Sequence, residues 1–218
     1  MSVITIERKV LEKNDQLAQR NRLFFEERGI FVLNLVSSPG AGKTSILERT
    51  FLELRGSMRA AVIEGDVQTD LDAQRVAKYG VPVVQIVTLG ACHLEANLVQ
   101  DAMKNLDFTG VELLFIENVG NLVCPASYDL GEQAKVVVLS TTEGDDKPLK
   151  YPSMFLNSSL LIINKIDLIP YVNCDLNRLK NNALQINPKL RIFEMSCTTG
   201  AGFPEWCNWL KKKDVSSL

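Results

Sequence analysis

The sequence predicts an α/β fold in three layers, a mostly parallel central sheet with helices on both faces. Two observations carry that expectation. Seven short apolar runs, FVLNLV, AAVIEGD, VVQIVTL, VELLFIE, KVVVLS, SLLIINK and LRIFEMS, alternate with stretches of helical periodicity. Many of these runs are apolar at consecutive positions, as strands covered on both sides require. With 218 residues and 46% hydrophobic content, one such core can be well buried.

Along the chain, Ile6 to Glu27 is highly charged, with Val10, Leu11, Leu17, Leu23 and Phe24 as sparse apolar points. It reads as a helix lying on the domain and ending at Gly29, so residues 1–28 are assigned to a helical segment and residues 29–218 to a single domain. Helices are predicted at Thr44–Leu54, Asp70–Tyr79, Leu94–Leu106, Leu176–Gln185 and Pro204–Lys212, between the strands. In such a sheet, ligands bind beyond the carboxyl ends of the strands.

Composition removes several function classes. Lys plus Arg number 24 against 26 Asp plus Glu, which gives no electrostatic case for nucleic acid or an anionic membrane. The first residues turn charged at once, without a signal-type apolar stretch, and no run approaches a membrane span, so a cytoplasmic location is expected. Five scattered cysteines without a CxxC form a poor disulfide framework, leaving free thiols or metal ligands.

After FVLNLV comes Ser37-Ser-Pro-Gly-Ala-Gly-Lys-Thr44, then a helix. This is GxxxxGK[ST] with serine at its first position, in the strand–loop–helix context of a P-loop NTPase. Gly40 and Gly42 let the backbone N–H groups of Ser38 to Ser45, Ala41 included, face phosphate oxygens. Lys43 would reach the β and γ phosphates, and Thr44 offers its hydroxyl to magnesium. If the first position needs positive φ, Ser37 costs about 1 kcal/mol.

Asp66 closes AAVIEGD, placed to hold a magnesium-bound water. Glu117 closes VELLFIE within Glu117-Asn-Val-Gly120, placed to support magnesium or to orient the attacking water, and the Gly120 N–H suits the γ-phosphate. Asp70 and Asp72 are weaker candidates, since acids in a helix's first turn also complement its dipole. Toward the C-terminus, SLLIINK runs into Asn164-Lys165-Ile166-Asp167. The Asp167 carboxylate accepts from N1–H and the exocyclic amine of guanine, whereas adenine leaves it unpaired, a mismatch worth about 10⁴ in selectivity. Ser196 and Cys197, in the loop after the last strand, are candidates to meet the base through their backbone. A small-molecule kinase is disfavoured, because NKxD has no role in one.

The single histidine lies in GACHLEA, directly after a cysteine. Adjacent residues diverge on a strand or a helix. Convergence of Cys92 and His93 on one ion therefore requires either a bend at Gly90-Ala91 or a two-fold partner toward which one of them points.

Taken together, SSPGAGKT, the strand-end EGD, GACHLEA, IENVGNLVCP and EGDDKPLKYP resemble the hydrogenase nickel-incorporation GTPases, HypB, within the dimerising P-loop class that includes urease accessory GTPases. The resemblance runs from about Phe31 to Trp209. Urease accessory GTPases carry a proline between the corresponding cysteine and histidine, so the adjacent Cys92 and His93 favour the hydrogenase branch. The resemblance implies hydrolysis of GTP to GDP in a homodimer, with Mg2+, and delivery of Ni2+, with Zn2+ also accepted, during [NiFe] hydrogenase maturation. It also implies a HypA-type metallochaperone as partner and the hydrogenase large subunit as indirect recipient. Its metal ligands fall on Cys92, His93 and Cys124, while Lys43, Asp66 and Glu117, read from the P-loop and the strand ends, are the catalytic candidates.

From DDKPLKYP it assigns Lys147 or Lys150 to nucleotide held across the dimer. No Cys-rich motif opens the chain, no His-rich tract occurs in it, and Ser153 stands where histidine is frequent, so no auxiliary nickel site or store is carried over. Alternatives from the same residues are a urease accessory GTPase and a non-catalytic nickel or zinc switch module.

Overall fold

The computed structural model describes residues 6–68 and 70–213, with side chains in the first helix from residue 9 onward. Seven strands, β1 (Phe31–Ser37), β2 (Ala60–Asp66), β3 (Val83–Val87), β4 (Leu113–Glu117), β5 (Ala134–Ser140), β6 (Leu160–Asn164) and β7 (Arg191–Glu194), form one sheet in the order β3-β2-β4-β1-β5-β6-β7. Every neighbouring pair is parallel, so all seven carboxyl ends share one edge. The predicted runs VVQIVTL and VELLFIE yield shorter strands. Turn residues after Val87 and before Leu113 leave the ladder.

The helices are α1 (Ile6–Glu27), α2 (Lys43–Leu54), α3 (Leu71–Ala77), α4 (Ala96–Met103), α5 (Lys147–Lys150), α6 (Pro152–Leu156), α7 (Leu176–Ile186) and α8 (Phe203–Lys212). Those predicted from Asp70 and Leu94 start later and stop earlier. The short α5 and α6 lack the length to show a period, and each carries Pro at its start. Side chains on β1 alternate between layers: Phe31, Leu33 and Leu35 pack under α2 and α8, while Val32 joins the α1/α4 layer and Val36 the α6/α7 layer. Consecutive apolar positions are explained by this double cover. Within the α2/α8 layer, Trp206 stacks on Trp209 at 5.4 Å, and its Nε1 donates to Thr50 Oγ1 at 3.0 Å.

Helix α1 corrects an expectation. Val10 and Leu23, taken as apolar anchors, are exposed. The inward face is Asn14, Ala18, Asn21 and Phe25, all buried and spaced for one side of a helix. Half of that face is amide, which a search for apolar periodicity passes over. Among the described residues, no helix is long and apolar enough to cross a membrane.

Trp206→Ala removes the largest fully buried side chain together with its hydrogen bond. Urea denaturation is expected to show a loss of about 3–5 kcal/mol, whereas Leu156→Ala, at an exposed position, stays within about 0.5 kcal/mol of the parent.

Candidate functional site

The strand ends surround a cavity of about 460 Å³ floored by the loop after β1 and walled by the ends of β2 and β4. Ser37 is the last residue of β1, and among the described residues the non-glycine positions with positive φ are Leu89, Lys165 and Lys213. The strain allowed for at Ser37 therefore does not arise. Its hydroxyl instead accepts a hydrogen bond from Lys43 Nζ at 3.0 Å. Positive φ falls on Gly40 (77°) and Gly42 (103°), where the chain turns so that α2 begins at Lys43 with its N–H groups directed at the cavity. Gly40, Gly42, Lys43, Thr44, Ser45, Asp66, Gly120 and Lys165 line it. Ala41 is wholly buried beneath the loop, and Ser38 lies outside the lining residues.

Thr44 Oγ1 donates to Glu117 Oε1 at 2.9 Å, and Lys43 Nζ stands 3.9 Å from the same oxygen. Directly across the β2/β4 ladder, Glu64 pairs in register with Glu117. Both carboxyls are buried. Burial above all, and then the Glu117 charge, pushes Glu64 well above the usual carboxylate range. Glu117 is also raised by burial, against the opposing pull of Lys43. With Asp72, these acids bring their oxygens within 4.8 Å of one another, a hard donor cluster beside Thr44 that fits magnesium.

Glu64 and Arg75 escaped the sequence reading. A glutamate inside an apolar strand was the signal for the first. The second binds Glu48 at 2.6 Å and Asp72 at 2.9 Å and lines the cavity, which no local spacing announces.

At the other end, the NKxD residues brace the loop. Asn164 Nδ2 donates to Ala41 O at 2.9 Å and Lys165 Nζ to Gly40 O at 2.8 Å, and Thr141 Oγ1 holds Lys165 O at 2.7 Å. Asp167 follows in a 3-10 turn. Ser196 is buried, and its hydroxyl accepts from Thr199 N at 3.1 Å. The Cys197 thiol donates to Asn164 Oδ1 at 3.5 Å and is pushed up to about 11 by burial, which makes it inert. Lys147 lies near Glu143, and Lys150 pairs with Asp146 at 2.6 Å. Neither lines this chain's own cavity.

A second cluster forms where the loops after β3 and β4 meet. Cys92 Sγ lies 3.5 Å from His93 Nδ1, and Cys92, His93 and Cys124 each bring one donor atom within 4.8 Å of the others. Leu89 and Gly90 take positive φ (51° and 109°), the bend that frees adjacent residues from pointing apart. One chain thus gathers all three donors through this bend, one of the two routes to convergence that the sequence left open. Burial lowers His93 while Glu95 raises it, which favours the neutral imidazole a metal needs. Cys124 is raised by its hydrogen bond with Cys92, by burial and by the Cys92 charge.

His93 Nε2 is buried without a hydrogen-bond partner. Its ring packs on Tyr128 at 4.0 Å, and Asn121 Nδ2 donates to Cys124 Sγ at 3.7 Å. Two thiols and an imidazole around a small gap fit a soft or borderline cation such as nickel or zinc.

Residues 31–194 match the family model CobW/HypB/UreG, nucleotide-binding domain. The hydrogenase maturation factor HypB of Escherichia coli K12 is 51% identical over 209 residues, which is 96% of this chain and 72% of the relative. The chain belongs to the HypB hydrogenase maturation factors. Solved HypB structures agree with its fold. The crystal structure of HypB from Helicobacter pylori in complex with nickel superposes with a TM-score of 0.87 at 40% identity, covering 92% of this chain and 94% of that one. HypB from Archaeoglobus fulgidus gives 0.86 at 39%, covering 92% and 98%.

In this HypB chain a Cβ on Gly42 would collide with Asn164 Nδ2, whereas on Gly40 it meets nothing within 4 Å. Gly42→Ala should therefore break the brace between the two loops, with a stability loss of about 1–3 kcal/mol and a clear loss of affinity in titration with a fluorescent guanine nucleotide. Gly40→Ala carries only the strain of its φ and should lose less of both.

Proposed function

We propose that this HypB protein is a nickel-binding GTPase of [NiFe] hydrogenase maturation that hydrolyses GTP in a nucleotide-dependent homodimer. One observation carries the reading: a phosphate cradle and a soft-metal cluster stand on the same sheet edge, and the segment Glu117–Cys124 contributes to both. Nickel is the cargo, received from a HypA-type metallochaperone and passed on toward the hydrogenase large subunit in the cytoplasm. Zinc meets the same donor set and competes for it. The nickel held by the Helicobacter pylori relative supports the cargo. Leu89 and Val123, both exposed on the loops that carry the donors, give those loops an apolar rim suited to burial against a second copy.

Loop amides from Ser38 to Ser45 bind the phosphates, with the Gly120 N–H facing the γ-phosphate. Lys43 exchanges the Ser37 hydroxyl for the β and γ oxygens. Thr44 and Glu117, with Glu64 and Asp72 beside them and Asp66 through a bound water, would hold magnesium, which supplies charge neutralisation at the phosphates when bound. The short Thr44–Glu117 bond supports a role for Glu117 in holding the metal over one in orienting water. Asp167 reads guanine, Asn164 and Lys165 keep the cradle against the base loop, and Ser196 and Cys197 border the base through their backbone. Lys147 and Lys150 stand outside their own cavity, so either acts on nucleotide only from the second copy. Barrier lowering comes from fixed positive charge and backbone dipoles aimed at the transferred phosphoryl group.

Lys43→Ala is expected to cut GTP hydrolysis by about 100-fold or more. Asp167→Asn should lose GTP by a factor of about 10⁴ and accept xanthosine triphosphate, whose second carbonyl matches the new amide. Cys92→Ala and Cys124→Ala should each lose stoichiometric nickel in metal analysis after size-exclusion chromatography. Purified protein that binds no guanine nucleotide would overturn the reading.

A further inference from the structure

We infer that Asn14 and Asn21 of α1 are positioning residues for the metal donors, setting the distance between the loop that carries Cys92 and His93 and the loop that carries Cys124. This rests on the metal-site reading above and extends it to a helix that touches neither nucleotide nor metal.

Each amide bridges Ala96, the first residue of α4 directly after the Cys92–His93 loop, and the segment that follows the Cys124 turn. Asn14 Oδ1 accepts from Ala96 N at 2.9 Å, while its Nδ2 donates to Asp129 O at 2.8 Å. Asn21 Nδ2 donates to Ala96 O at 2.9 Å and to Leu130 O at 3.1 Å. Ala96 is thus held by its N–H and by its carbonyl, and it follows His93 by three residues. On the other side, Asp129 and Leu130 follow Cys124 by five and six residues.

Neither donor loop has a strand ladder to hold it. Residues 88–95 are irregular, and the Cys124 segment is a single 3-10 turn, Cys124–Ser127. Lys135 Nζ, on β5, holds that turn against the sheet through the carbonyls of Pro125, Ala126 and Tyr128 at 2.9, 3.2 and 2.9 Å. The turn is thus anchored to the sheet, and its spacing from Ala96 is held by the pair of asparagines, by the packing of Tyr128 on His93 and by the bonds that run from Leu94 through Asn118, Asn34 and Glu132 to Leu130.

The arrangement has a cost that apolar packing would not have. Asparagine is a poor helix former, and a buried amide atom left unbonded is unfavourable, a cost that Asn21 carries at its Oδ1, which has no hydrogen-bond partner. Both sit on the inward face at 4% and 1% exposure. Close approach is required as well. A Cβ on Gly131, at φ 96°, would meet Ala18 O and Asn21 Cβ at 2.8 Å, so glycine is what lets this loop reach the helix.

The test uses the full chain and measures Ni2+ affinity by competition with a chromogenic chelator, together with the thiolate-to-nickel charge-transfer band. Asn14→Ala and Asn21→Ala are expected to weaken nickel binding about 10- to 100-fold and to shift the band, with affinity for a fluorescent guanine nucleotide unchanged. Ala18→Gly, on the same buried face but without a bond to either loop, should lower stability and leave the band intact. Asn14→Asp serves if the alanine variant does not fold. It keeps the acceptor for Ala96 and turns an oxygen toward the Asp129 carbonyl, releasing one loop.

Folded asparagine variants with the parent's affinity and spectrum would overturn the inference, as would an equal loss in Ala18→Gly. A parent chain that takes up no nickel at Cys92, His93 and Cys124 would overturn the metal reading itself, a result visible before any variant is compared.

Discussion

Seven parallel strands impose one constraint on everything else in the molecule. Each carboxyl end must lie on the same edge, because each crossover returns the chain to the opposite edge before the next strand begins. Loops that carry Lys43, Asp66, His93, Glu117 and Asp167 therefore leave the sheet side by side. With β1 central between β4 and β5, the phosphate loop sits beside the end of β4, whose own loop carries Cys124, while Cys92 and His93 come from the loop after β3, two strands further out.

Buried polar groups turn that proximity into fixed geometry. Asn118, directly after Glu117, accepts from Leu94 N at 3.1 Å and donates to Asn34 Oδ1 at 3.2 Å. Asn34 Nδ2 in turn donates to Glu132 Oε1 at 3.0 Å, and Glu132 Oε2 accepts from Leu130 N at 2.7 Å. The chain of bonds runs from the nucleotide edge through the centre of the sheet to both metal loops. In an interior where an unbonded amide costs on the order of 1–3 kcal/mol, such a network has few alternative arrangements. The same network joins the β4 end, beside the nucleotide edge, to both metal loops.

The acidic cluster follows the same logic with the opposite sign. Glu64 and Glu117 face each other because parallel register puts them there, and burial makes two charges untenable together. Lys43 and the Thr44 hydroxyl relieve part of that repulsion. A divalent cation arriving with phosphate would relieve the rest.

What the sequence determined by itself was whatever lies within a few residues of its cause. Strand and helix periods, the P-loop with its two glycines, NKxD after an apolar strand and the adjacency of Cys92 and His93 are all local, and they predicted the layers, the nucleotide edge and the metal candidates. Tertiary structure decided the rest because its causes are distant in the chain. Ser37 proved unstrained because β1 extends through it and Lys43 folds back onto it. Glu64 entered the site through a strand pairing across 53 positions, and Cys92 and His93 met on one chain through a bend beside Cys124. Helix α1 docked by asparagines rather than by its leucines, since buried carbonyls of two loops offered partners that only the folded chain brings within reach.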